Sequence, residues 1–173
     1  APVVLFHHGF GNHRNVSLKV ADALADAGFA TLAIDSPLQG DRSMCASDSE
    51  CDGGTCDVAT GACSTSLKRR CVDATVVTAC PRGIPIASGN GLISANIFSF
   101  RDHIRQEVLD YAQLLRAAKA QDKEPWTKLD LGRVHYLGQS MGGMVGPMLL
   151  AVLPDLKCGV LNAAGGTWVD VFV

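Results

Sequence analysis

No apolar run in the chain reaches the roughly 18 residues that a membrane-crossing helix needs. Charge of neither sign dominates: 15 Lys and Arg stand against 17 Asp and Glu. That balance argues against a surface built for nucleic acid or an anionic membrane. The opening residues, APVVLFHHG, have no basic segment leading into an apolar one, so no secretory signal is read there. They look like direct entry into a strand. No internal repeat is visible, and no histidine follows His135.

What is present fits one globular domain with a real core. The chain has 173 residues, of which 47% are hydrophobic and 18% charged. Its sharpest compositional feature is cysteine. Six of the seven fall close together, at Cys45, Cys51, Cys56, Cys63, Cys71 and Cys80. The stretch around them, CASDSECDGGTCDVATGACSTS, is polar and Gly-rich. It cannot build its own hydrophobic core, so disulfides are the expected staple. Six cysteines allow 15 pairings, and the sequence does not choose among them. Zinc is the rival reading, but the stretch has neither a C-x-x-C pair nor a histidine. Asp48, Glu50, Asp52 and Asp57 do not follow calcium-loop spacing, so they read as solvated acids. No metal and no cofactor is expected. Disulfides would place the protein in an oxidising compartment, secreted or at the cell surface. Cys158 stands apart in an apolar run and is expected to be a buried free thiol.

Along the chain, strands alternate with helices. Residues 3–6 form an apolar, β-branched run ending in the Gly-rich HHGFGN. Residues 17–27 have helical spacing, and Gly28 is placed as a left-handed cap. FATLAID, residues 29–35, reads as a second strand. Ser99 and Asp102 have capping-box spacing. Ile104, Val108, Tyr111, Leu115 and Ala118 then define one apolar helix face. A third strand is expected at 133–137, a helix from 141 to 153 ended by Pro154, and a fourth strand at 159–162. Such alternation predicts an α/β fold, a mostly parallel sheet with helices on both faces, carrying a disulfide-rich insertion. We expect core at 1–42, an insertion and irregular linker at 43–97 that forms a cap or rim, and core again at 98–173.

Between the third strand and its helix lies Gly138-Gln139-Ser140-Met141-Gly142, the G-x-S-x-G pattern of a nucleophile elbow. A hydroxyl displayed from so sharp a turn needs strained backbone angles. It also needs glycines two residues to either side, where side chains would collide. An idle serine in a Gly-rich turn is the competing reading. A second pattern weighs against it. Acyl transfer builds negative charge on a carbonyl oxygen, which fixed N–H donors must meet. Met141, just after the serine, supplies one. The segment His8-Gly9-Phe10-Gly11 after the first strand supplies the other through the Phe10 N–H.

These residues resemble the α/β-hydrolases and, more narrowly, the bacterial extracellular virulence-factor lipases. The stretches that carry the likeness are PVVLFHHGFGNHRN, VADALADAGFATLAIDSPLQGDR, FSFRDHIRQEVLDYAQLLRAAKA and LDLGRVHYLGQSMGGMVGPMLLA. The resemblance implies ester hydrolysis by a Ser-Asp-His triad without a cofactor, with Ser140 as nucleophile and Met141 and Phe10 as oxyanion donors. A triad histidine follows the serine in this fold, so His7 and His8 are expected to brace the oxyanion loop. Asp170 lies beyond the fourth strand, where some hydrolases carry their acid, and is the candidate acid. Asp155, after Pro154, is expected to point away. The absence of a later histidine implies that the triad is completed beyond this chain, as in a piece of a longer enzyme.

The substrate expected is a small-molecule or lipid ester. Acyltransfer or peptide hydrolysis would use the same elbow. From another class, a disulfide-stapled binding or adhesion module on an inactive hydrolase scaffold is the alternative. Nothing in the sequence speaks to oligomeric state.

Overall fold

The computed structural model of the chain describes residues 1–70, 83–94, 96–166 and 168. Strand β1 is Pro2–His7, buried from Val3 onward. A 3-10 turn at Arg14–Ser17 leads into helix α1, Leu18–Asp26. Gly28 stops α1 at φ +85°, which frees the chain to turn back as β2, Ala30–Ala33. The insertion follows, with two short antiparallel pairs: β3 (Cys56–Asp57) with β4 (Ala62–Cys63), and β5 (Arg69–Arg70) with β6 (Ile84–Pro85). Helix α2 spans Ile97–Lys119, β7 Asp130–Gln139, α3 Met141–Val152 and β8 Leu156–Asn162.

The central sheet is parallel, in the order β2-β1-β7-β8. The crossover from β1 to β2 runs one way across it, while those into β7 and β8 run the other. Right-handed crossovers therefore put α1 on one face and α2 and α3 on the other. The α2/α3 face holds the core. Val3 and Leu5 of β1 and Val134 and Tyr136 of β7 meet Tyr111 and Leu115 of α2 and Val145 and Leu149 of α3. The period-two alternation of β1 sends Val3, Leu5 and His7 to this face.

Three local expectations are corrected. β2 is shorter than the apolar run 29–35, because the chain leaves the ladder where Asp35 accepts the Arg14 N–H (2.6 Å) and the Asp41 N–H (3.0 Å). α2 is capped by Asn96, whose side chain accepts from the N–H groups of Phe98 (3.1 Å) and Ser99 (3.4 Å). Asp102 bonds Arg101 instead of closing a box with Ser99. Cys158 is a free thiol but exposed, not buried. It sits on β8, the last strand of the sheet among the described residues, of which only Leu156 is buried.

Two disulfides staple the insertion, Cys45–Cys56 and Cys51–Cys63. Cys71 and Cys80 lie outside the described residues.

Candidate active site

The order of the sheet reverses between β1 and β7, whose crossovers leave in opposite directions. Crevices for ligands open at the carboxyl ends of strands at such a point. Both Gly-rich motifs lie there. β7 ends at Gln139, and Ser140 turns the chain into α3 with φ +53° and ψ −115°. That combination is costly for any L-residue. Its neighbours show why the flanking glycines are needed. A Cβ on Gly138 would strike the Gly142 backbone, and one on Gly142 would strike the backbone of His7. The end of β1, the end of β7 and the first turn of α3 are therefore in mutual contact. The loop after β1 comes just as close. A Cβ on Gly9 would stand 3.1 Å from the Cβ and 3.6 Å from the Oγ of Ser140. Ser140 itself is exposed, its N–H held by the Asn162 carbonyl at 2.8 Å.

The loop is fixed from beneath by two fully buried histidines. His8 donates from Nδ1 to the Gly9 carbonyl (2.8 Å) and accepts the Ser36 N–H at Nε2 (3.2 Å). Burial pushes its pKa down to about 4, so it is neutral near pH 7. The Tyr136 hydroxyl donates to the Gly142 carbonyl at 2.5 Å, which commits its one proton. Nδ1 of His7, 2.8 Å from that hydroxyl, must then be the donor to it. Nε2 of His7 faces Ser36 Oγ at 3.1 Å. Gln39, also fully buried, accepts the Gly11 N–H at 2.7 Å. The N–H of Phe10, between these anchored residues, has no acceptor among the described residues. Met141 opens α3, where the first N–H groups have no intrahelical acceptor and the helix dipole is positive.

A cavity of about 110 Å³ opens beside Ser140 and Met141. Its walls are Phe10, Leu92, Ile93, Phe100, Met144 and Trp168. Leu92 and Ile93 come from the linker that returns from the Cys-rich insertion.

Residues 2–172 match the family described as alpha/beta hydrolase fold. The chain belongs to that family. Among solved structures it is similar to acetyl xylan esterase 1 from Thermoanaerobacterium sp. JW/SL YS485, with 20% identity and a TM-score of 0.48. The match covers 95% of this chain and 39% of the esterase, so the chain spans about two fifths of that structure's length. No curated protein matches it significantly.

The hydrolase-fold core brings together Ser140, Met141, Gly138, Gln139 and Gly142 of the elbow with His8, Gly9, Phe10 and Gly11 of the loop. Asp170 lies outside the described residues. Asp155 is turned to Lys119, at 2.6 Å. None of the five histidines hydrogen-bonds Ser140; His135 instead meets the Cys158 thiol at 3.1 Å. The sulfurs of Cys45, Cys51 and Cys63 lie within 4.8 Å of one another, yet all three are spent in disulfides and none is a thiolate ligand. Asp48 accepts the N–H of Cys56 (2.7 Å) across the insertion, and Asp57 closes a turn by accepting the N–H of Ala59 (3.0 Å).

Sequence reasoning missed Glu107. It is fully buried on α2, with Oε1 3.7 Å from His7 Nε2 and neither oxygen hydrogen-bonded among the described residues. The signal was its position three residues after Ile104, on the apolar face of the helix. Tyr136 and Ser36, which hold His7, had no motif to mark them.

Proposed function

We propose that the protein is a serine carboxylic-ester hydrolase, an esterase or lipase, that forms an acyl-enzyme on Ser140. The backbone N–H groups of Phe10 and Met141 meet the oxyanion, and Gly138, Gln139, Gly142, His8, Gly9 and Gly11 keep serine and donors in place. One observation carries the reading: Gly9 lies against the strained Ser140 at the reversal point of the sheet. Loop and serine are thus close enough to act on one carbonyl. The substrate is a small-molecule or lipid ester, in keeping with the resemblance to extracellular virulence-factor lipases. Asp170 is the candidate acid of the triad. Residues 43–97 act as rim or cap, Leu92 and Ile93 forming one wall. The two disulfides fit an oxidising compartment, and we read the protein as secreted or surface-borne.

The test is a fluorophosphonate probe followed by mass spectrometry of the digest. Label on Ser140, lost in Ser140→Ala, is expected. Label confined to another serine, or none at all, overturns the reading and favours a binding module on an inactive scaffold.

A further inference from the structure

The cavity beside Ser140 limits what the acyl group can be. We infer that this site takes short, uncharged aliphatic acyl groups of up to about four carbons, and that Met144 sets the limit. The inference rests on the serine-hydrolase reading.

Size is the first argument. An apolar cavity of about 150 Å³ takes a benzene ring of six carbons, and this one measures about 110 Å³. Lining chemistry is the second. Among the described residues, the walls carry no ionisable side chain. A charged acyl group would be stripped of water there without a partner, as unfavourable as any buried unpaired ion.

The walls differ in how readily they can recede. Leu92 is fully buried. Phe100 and Trp168 meet edge to face, centroids 5.2 Å apart. Phe10 and Ile93, 45% and 47% exposed, form the rim of the cavity, not its floor, and the Phe10 ring is backed by the linker: a Cβ on Gly89 would stand 3.0 Å from it. Met144 is different. It lies in the first turn of α3, its N–H bonded to the Ser140 carbonyl at 3.1 Å. Helical side chains lean back toward the N-terminus, so the Met144 thioether leans toward the turn that displays the serine. It is unbranched, and only partly buried. Shortening it deepens the cavity along the acyl path without removing a braced aromatic.

The experiment compares p-nitrophenyl acetate, butyrate, octanoate and laurate on the enzyme and on Met144→Ala. The wild type should favour acetate or butyrate over octanoate by at least ~10-fold in kcat/KM, the scale of one misfitted methylene. Met144→Ala should raise the octanoate-to-butyrate ratio by about 10-fold or more. The wild-type rates of Ser140 phosphonylation by p-nitrophenyl ethyl- and octylphosphonates give the same comparison without a variant, should the substitution prevent folding. Octanoate or laurate turned over as fast as butyrate, octyl- labelling as fast as ethylphosphonate, or an unchanged ratio in a folded Met144→Ala overturns the inference and leaves the serine-hydrolase reading standing. Ester turnover and Ser140 labelling both absent would overturn that reading, and this inference with it.

Discussion

Gly9 and Ser140 come from motifs far apart in sequence, yet a single methyl group on Gly9 would stand 3.1 Å from the serine Cβ. That spacing is tight but not a hard clash, so Gly9→Ala should fold. The serine and the Phe10 N–H should separate by a few tenths of an ångström, and misplacements of about 1 Å can cost 100-fold in rate. We expect fluorophosphonate labelling of Ser140 to slow by roughly 10-fold with Tm little changed. Labelling at the wild-type rate would mean that the close approach has no part in the chemistry.

Strain at the elbow should be visible as stability. Ser140 holds φ +53° and ψ −115°, a region that costs on the order of 1–3 kcal/mol for a residue with a Cβ. Ser140→Gly should therefore raise the unfolding free energy by about 1 kcal/mol after the added entropy of an unfolded glycine is subtracted, and with it the urea midpoint. It should also abolish labelling. A lowered midpoint would show that the serine side chain stabilises the turn.

His8 should make stability fall in mild acid. Its pKa is about 4 in the folded chain, against 6.5 for the free side chain. Between those values the unfolded chain binds the proton and the folded chain does not. The contribution is complete above pH 6.5 and is lost as pH drops toward 4. The full difference amounts to roughly 3 kcal/mol. Urea titrations from pH 7 to pH 4 should show the decline, reduced in His8→Gln. An equal slope in the variant would assign the acid sensitivity to other groups, His13 among them, whose pKa is also lowered by burial.

The disulfides should be felt at the Phe10 loop. Glu50 precedes Cys51, and its carboxylate accepts from Asn90 at 2.5 Å and the Ala46 N–H at 2.6 Å. Two residues before Asn90, Ser88 bridges the Asn12 carbonyl (2.9 Å) and the Gly40 N–H (3.0 Å). Breaking the disulfides loosens Glu50, and through it the segment that backs the loop. Removing a native disulfide typically costs about 2–5 kcal/mol. Hydrogen exchange at residues 9–12 should accelerate on reduction while that of β1 stays slow. Unchanged protection at 9–12 would uncouple the insertion from the site.

Much of this molecule was legible because the signals were local. Strand-turn-helix order, the Gly28 stop and the glycines around Ser140 each follow from backbone sterics within a few residues. The apolar face of α2 was readable from its spacing, but its cap was not. Asn96 and Ser99 are both good caps, and only the approach of the chain chooses between them. The supports of the loop were beyond reach for another reason. His7, Ser36, Tyr136 and Glu107 meet only after β1, β2, β7 and α2 assemble, and no pairwise spacing encodes that. Cys158 misled because an apolar run predicts burial only when a neighbour covers it, and among the described residues β8 pairs with β7 on one side alone.

The two bridges of the insertion interlace, since Cys51 lies inside the loop closed by Cys45–Cys56 and Cys56 inside the loop closed by Cys51–Cys63. Every peptide bond from residue 45 to residue 63 is thus spanned by at least one covalent bridge. A protease that nicks this polar stretch once releases nothing, and the cut chain stays one piece until a reductant reaches it. On a non-reducing gel the nicked and intact proteins should run together, separating only after thiol treatment. In a medium rich in peptidases, an exposed and core-poor segment would outlast its own cleavage.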